Sequence, residues 1–309
     1  MDEVARRSQE SLDQGSKSFA AAARLFDPET RDSVRLLYAW CRHCDDVVDG
    51  QEFGFNRAAA DVAVEGDAET RLARLYEQTA AVYRGEPVAD PVFEAFRRVV
   101  ERHAIPRAQA EDLLAGLRMD VVEHHYATLD DTLRYSYHVA GVVGVMMARI
   151  MGVEDEETLD RACDLGLGFQ LTNIARDIAE DARMGRCYIP AEWLTEARLG
   201  AADLGDPARA EEVAPLARRL VATAEPYYAS ALDGIARLPW RSAWAIAAAR
   251  LVYRDIGLRI RRQGAAAITR RTSTSTPRKL ALLVAATLQA TTRGHRSPVS
   301  RDGLWTRPR

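Results

Sequence analysis

Asp45 and Asp49 stand four residues apart in "WCRHCDDVVD" (40–49), and Asp177 and Asp181 repeat the interval in "NIARDIAED" (173–181). On a helix this spacing puts both carboxylates of a pair on one face, with Cβ atoms about 5–6 Å apart. Like charges there repel, and Asp is a poor helix former. A helix that served stability alone would avoid either pair. An arginine accompanies each: Arg42 three residues before Asp45, and Arg176 next to Asp177. Asp46 and Glu180 add charge, while Val47, Val48, Ile178 and Ala179 fill the intervals with apolar side chains. Two facing helices built this way would cage hard oxygen ligands. Mg²⁺ binds through a few carboxylates, retained waters and substrate phosphates. Arginine can grip the same phosphates with two N–H groups at once. Such a set suits departure of a diphosphate, whose growing negative charge it stabilises as a C–O bond breaks. One acidic pair alone reads equally as a solvated helix face. The recurrence, with arginine and apolar neighbours each time, favours chemistry.

Other groupings invite other chemistry. Cys41 and Cys44 have the spacing of a zinc half-site or a redox pair. A zinc site needs about four ligands, and the remaining cysteines, Cys163 and Cys187, are isolated. A thioredoxin-type pair belongs near a βαβ unit, which the sequence lacks. Both thiols therefore read as small packing groups. A di-iron bundle would need Glu-x-x-His motifs, and none of the six histidines has Glu three positions earlier. The adjacent histidines of "EHHY" (123–126) point different ways on a helix and read as surface or packing residues.

The elements that position the carboxylates are expected to be helices. The 309 residues are 47% hydrophobic and rich in Ala, Leu, Arg and Glu, which are helix formers. Helical periodicity covers roughly 2–14, 30–50, 68–84, 90–103, 107–124, 129–151, 155–182, 208–236, 242–263 and 277–293, broken by Gly and Pro. The expected fold is all-α, one helical domain over 1–293 followed by an Arg/Pro-rich tail, 294–309. The net charge of −3 gives no nucleic-acid footprint. The end of the chain is locally basic, with five arginines against one aspartate over residues 291–309. It reads either as a disordered end or, with Trp305, as a contact for anionic lipid. The N-terminal "MDEVARRSQESLDQG" has no apolar core of a secretion signal, and the apolar run 280–290 is too short to span a bilayer. Few cysteines fit a reduced, cytoplasmic setting.

Five motifs in order, "GSKSF" (15–19), "LYAWCRHCDDVVD" (37–49), "YSYHVAGVVG" (135–144), "GLGFQLTNIARDIAED" (166–181) and "GRCYIP" (185–190), make the chain similar to the squalene/phytoene synthase family, and within it to the bacterial phytoene synthases. The resemblance covers nearly the whole chain. It implies an all-α isoprenoid-synthase bundle with a central cavity and two aspartate motifs facing each other across its mouth. Carried over by position, Asp45, Asp49, Asp177 and Asp181 become the Mg²⁺ ligands, with Asn173 beside them and Mn²⁺ as a substitute metal. Lys17, Arg42, Arg176 and Arg186 become diphosphate contacts, with Tyr188 near them. Ser16, Phe19, Tyr38, Gln170 and Tyr253 fall on the substrate side. Tyr137 or His138 takes a catalytic position; this chain reads Tyr-His where many members have Tyr-Tyr or His-Tyr, so which ring inherits the tyrosine role stays open. Asp120, Arg270 and Arg271 are further candidates for the mouth.

The reaction implied is head-to-head condensation of two geranylgeranyl diphosphates through a cyclopropyl diphosphate to phytoene, the first committed step of carotenoid synthesis, without NADPH. The alternative is the same condensation of two farnesyl diphosphates, as in dehydrosqualene and squalene synthases. An allylic cation demands a dry, apolar cavity. Ala140, Gly141, Gly144, Gly166 and Gly168 would either let prenyl chains pass between helices or let the helices pack closely. Substrate and product are very apolar, so peripheral contact with the inner face of a membrane and transient contact with neighbouring carotenoid-pathway enzymes are expected.

Overall fold

A computed structural model describes residues 22–52, 55–56, 66–295 and 298–309. Over these the chain is helical, as its periodicity implies. The helices are α1 (Pro28–Asp49), α2 (Ala68–Tyr83), α3 (Pro91–His103), α4 (Arg107–Val121), α5 (Leu129–Ser136), α6 (Val142–Ile150), α7 (Glu156–Arg183), α8 (Ala191–Ala197), α9 (Ala210–Arg237), α10 (Trp240–Gln263), α11 (Ala265–Thr269) and α12 (Thr276–Thr291). Two-residue strands β1 (Gln51–Glu52) and β2 (Phe55–Asn56) pair antiparallel after α1.

Local chemistry explains where the helices start. Asp27, Asp67, Asp90 and Asp155 each accept a backbone N–H of the first turn, as N-caps do. Pro28 and Pro91 occupy the first helical position of α1 and α3, where the missing N–H costs nothing. Gly50 ends α1 directly after Asp49 in the left-handed region at φ 65°. The acidic pair is thus the last turn of its helix.

The 28-residue α7 is the spine. It packs against α9, α6, α10 and the segment before α6, and sixteen of its residues, from Thr158 to Ala179, are buried. These buried residues lie on several sides of α7 rather than along one stripe, because neighbours surround it; a central helix requires that pattern. On the other side, Trp40 of α1 stacks on Phe96 of α3 with ring centroids 3.8 Å apart.

Sequence periodicity missed several elements and misjudged two. The expected single helix 129–151 is divided by a π-helical turn over Tyr137–Gly141. Such a turn inserts one residue into the helical register, and apolar periodicity does not reveal it. The short α8 and α11 are too brief to show a period. The tail is not the free basic arm expected of a disordered end. Arg301 pairs with Asp164 at 2.8 Å, Arg307 with Asp160 at 2.8 Å, and Arg309 with Asp160 at 3.1 Å. Trp305 lies against Tyr137, centroids 5.4 Å apart. Asp160 and Asp164 are buried on α7 and need counter-charge; the arginines of the last nine residues supply it.

The glycines of the two central motifs serve close packing. A Cβ on Gly166 would stand 2.7 Å from the Ala140 carbonyl carbon, and one on Gly144 2.5 Å from the Ala162 carbonyl oxygen. Backbone meets backbone there, and only glycine leaves room.

Candidate active site

A cavity of about 980 Å³ opens between α1, α4, α7 and α10. One face of α1 contributes Tyr38, Cys41, Arg42, Asp45 and Asp49, successive turns of a single stripe. A longer stripe of α7 runs from Thr158 through Ala162, Gly166 and Gln170 to Asp177 and Asp181. At 1.5 Å per residue, the rise from Thr158 to Asp177, 19 positions further on, is about 28 Å. The charged groups gather at one end. Toward the other, Leu113, Val139, Met147, Leu165 and Ile235 make an apolar wall.

At the charged end every acidic motif meets arginine. Arg42 divides its guanidinium between Asp45 and Asp46, each at 3.0 Å. Arg176 holds Asp177 through Nε at 2.9 Å and through a second N–H. Arg271, from the loop after α11, reaches Asp177 at 3.1 Å. Gly185, at φ 78°, reverses the chain after α7, and Arg186 returns over the mouth to grip both oxygens of Asp49. A side chain at residue 185 would meet that backbone conformation with strain.

Asp120, at the end of α4, joins this rim. It accepts hydrogen bonds from Tyr188 Oη at 2.9 Å and Tyr135 Oη at 3.0 Å. Burial pushes its pKa up, and the two hydroxyls and Arg186 oppose the rise. Burial likewise raises Asp45 to about 7, opposed by Arg42 and reinforced by Asp49. Asp181 is raised to about 7 by burial and then by Asp177. These carboxylates crowd one another with too little positive charge between them. The Tyr38 hydroxyl is pushed up to about 12, again by burial first.

The donor chemistry fits a hard divalent cation: carboxylates from two helices, and the Asn173 Oδ1, buried without a hydrogen-bond partner while its Nδ2 donates to Gln170 at 3.3 Å. As placed, the carboxylates lie against arginines. Among the described residues no three His, Cys, Asp or Glu side chains converge as a ligand set.

Asp45, Asp49, Asp177, Asp181, Arg42, Arg176, Arg186, Tyr188, Tyr38, Gln170, Asn173 and Tyr253 all line the cavity, with Tyr253 packed on Phe169 at 4.3 Å. Arg271 lines it and Arg270 does not. Ser16, Lys17 and Phe19 lie outside the described residues. Tyr137 and His138 require correction. Neither lines the cavity; Tyr137 Oη donates to Asp112 at 2.5 Å, and His138 Nδ1 lies 2.8 Å from the Asp112 carbonyl oxygen. The residue sequence reasoning missed is Tyr135, which faces the mouth and stacks on Tyr188 at 4.7 Å. The π-helical turn begins just after it, so an unbroken helical wheel through 129–151 assigns the wrong side. Among the cysteines, Cys44 is fully buried and Cys41 borders the cavity; both are free thiols. His124 and His125 are exposed, as expected.

The model of the squalene/phytoene synthase family matches residues 12–278. The chain is 57% identical over 299 residues to the 15-cis-phytoene synthase of Enterobacter agglomerans, covering 96% of this chain and 100% of that one. It is 54% identical to the 15-cis-phytoene synthase of Pantoea ananas, covering 97% and 96%. Among solved structures, a dehydrosqualene synthase in complex with a ligand superposes with a TM-score of 0.82 at 26% identity, covering 94% of this chain and 97% of that one. The squalene synthase of Alicyclobacillus acidocaldarius does so at 0.72 and 24% identity, covering 85% and 93%; at that identity the likeness speaks for the isoprenoid-synthase fold alone. Matched over most of its length, with four of the five motifs described and gathered about one cavity, the chain belongs to the squalene/phytoene synthase family.

Proposed function

We propose that this chain is a prenyltransferase that joins two molecules of geranylgeranyl diphosphate head to head and releases phytoene and two diphosphates. The carrying observation is one cavity with two unlike ends, running some 28 Å along α7 in all: a rim of carboxylates and arginines, and a largely apolar bore beneath it. Identity above 50% to two 15-cis-phytoene synthases over almost the whole chain favours the C20 substrate.

The residues divide the work by position. Arg176, Arg186 and Arg271 can turn from carboxylate to diphosphate oxygens, since each already stands at the rim with its fork toward negative charge. When one allylic C–O bond breaks, its electron pair leaves with the diphosphate and the guanidiniums stabilise that charge. The C1 cation is attacked by the alkene of the second substrate, and loss of a proton closes a cyclopropane that still carries one diphosphate. Its ionisation, rearrangement and a second proton loss give a C40 hydrocarbon. No hydride enters, so no NADPH is needed for balance. The apolar wall excludes water from the cations.

Mg²⁺, or Mn²⁺ in its place, is proposed at Asp45, Asp49, Asn173, Asp177 and Asp181, where it would supply charge stabilisation to the departing diphosphate. Tyr135, Tyr188 and Asp120 form a hydrogen-bonded unit at the rim that can hold a diphosphate oxygen or pass a proton. The proposed setting is the cytoplasm, with product passing to an enzyme that acts on an apolar C40 chain.

The test is incubation of purified protein with Mg²⁺ and geranylgeranyl diphosphate, without NADPH, and mass analysis of the hexane extract. A C40 hydrocarbon is expected. A C30 product from farnesyl diphosphate, with geranylgeranyl diphosphate left untouched, would overturn the chain length and keep the chemistry.

A further inference from the structure

The cavity has a floor of definite composition. Below Gln170 the stripe of α7 that faces the cavity carries only the hydrogen of Gly166 and the methyl of Ala162 before it ends at Thr158. Ala162 is only partly buried, although neighbours surround α7 there, so the space beside its methyl group is the cavity itself. Helix α9 runs antiparallel to α7 at this end: Arg237 Nη1 lies 3.4 Å from Thr158 Oγ1, while Tyr228 bonds Thr172 at 2.8 Å further up. Leu238, just past α9, and Met151, on the short connection from α6 to α7, are buried and line the same end.

Arg161 also lines the floor, but its charge is turned away from the cavity. Its Nη1 donates to Ser230 Oγ at 3.0 Å and to the Val299 carbonyl at 2.8 Å. The apolar stem is what remains toward the bore. Gly234 lets that stem lie flat, since a Cβ there would stand 2.7 Å from Arg161 Cβ. On the outer side of the floor Arg237 pairs with Asp155 at 3.2 Å and with Glu157 at 2.7 Å. The floor is therefore closed by packing from within and by an ion-pair clasp from without.

One turn of α7 rises about 5.4 Å, close to the length of one isoprene unit in an extended prenyl chain. A diphosphate held at the rim sends its tail down the bore toward Thr158. Ala162 stands one turn short of Thr158, which is the difference between a C20 and a C15 chain. We propose that Ala162 and the floor beneath it, Met151 and Leu238, set the length of the prenyl chain. The bare methyl at residue 162 admits the fourth isoprene unit, and the floor refuses a fifth. Met151 has a flexible, unbranched side chain that can fit itself to the end of the chain. This assignment rests on the proposed reaction for its substrate class, and its test separates the two.

Each protein is given Mg²⁺ and an equimolar mixture of farnesyl and geranylgeranyl diphosphates, and the C30, C35 and C40 hydrocarbons are measured by mass in one extract. Because the products compete in one tube, partial loss of folded protein cancels. Ala162→Phe should raise the ratio of C30 to C40 product at least about tenfold, the scale on which a filled pocket rejects a longer chain. Ala162→Leu should move the ratio in the same direction by less. Met151→Ala with Leu238→Ala should act oppositely and raise the yield of C50 hydrocarbon from a C25 prenyl diphosphate about tenfold over the wild type. Titration with non-ionising thiolo-diphosphate analogues gives a readout without turnover: Ala162→Phe should weaken the C20 analogue about tenfold relative to the C15 analogue. Product and analogue ratios unmoved by Ala162→Phe and Ala162→Leu would refute the assignment while C40 product from the wild type kept the reaction. A wild type that forms no hydrocarbon, with the expected change in analogue binding, would refute the reaction and keep the floor.

Discussion

Arg186 grips both carboxylate oxygens of Asp49 across 137 residues of sequence. The contact fastens the loop after α7 to the last turn of α1 and so brings the two acidic motifs to one rim. Arg186→Lys keeps the charge and loses the planar fork, which a single ammonium cannot replace. Its KM for the diphosphate substrate should rise about tenfold, and Arg186→Ala should do worse. Equal kinetics in the lysine variant would show that charge alone matters.

Replacing Asp45 or Asp177 by Asn should lower turnover by about 10²-fold or more, the scale of a lost electrostatic stabiliser. Each change also removes like-charge repulsion from its helix, so melting temperatures should stay level or rise. Steady-state kinetics beside thermal melts separate the two effects; normal turnover in both variants would discard the carboxylate cage.

Asp45 and Asp181 have pKa values near 7 against an ordinary 3.8, through burial and neighbouring aspartates. Between about pH 4 and 7 the folded chain therefore holds protons that the unfolded chain has released. Linkage makes the stability from these groups full below about pH 4, falling as pH rises toward 7. In EDTA the melting temperature should carry this slope. Mg²⁺ with a non-ionising thiolo-diphosphate analogue should raise it more at pH 8 than at pH 5. An equal rise at both would mean that these carboxylates do not meet the cation.

Asp164 is fully buried, with Arg301 as its ion-pair partner and Ser230 donating to it. Arg301→Met should cost about 3–5 kcal/mol in urea unfolding, as when one member of a buried pair is removed. Deleting residues 298–309 should cost at least as much. A shift under about 1 kcal/mol would make the tail a loose appendage.

Gly166→Val should destabilise by about 3 kcal/mol, since its first side-chain carbon would stand 2.7 Å from a backbone carbonyl that has no room to yield. Cys41→Ser should change neither activity nor bound metal; metal lost with the thiol would restore the Cys41–Cys44 pair as ligands.

Much of this protein was legible one helix at a time. The spacing of Asp45 with Asp49 and of Asp177 with Asp181 put each pair on one face, and the structure brings both faces to one cavity. Aspartate caps and glycine stops set helix ends through contacts within a turn. These are local relations, and the chain carries them wherever the helix goes. The side that Tyr135 and Tyr137 take was not legible, because a π-helical turn over Tyr137–Gly141 shifts the register where α7 presses close at Gly166. Nor was the fate of the tail, whose arginines look free until Asp160 and Asp164 are seen buried some 140 residues away. The sequence by itself determined which residues share a helical face, since that follows from 3.6 residues per turn. Only the tertiary structure decided which face meets which. That choice rests on close packing between distant segments, and on charges that must find their partners once water is gone.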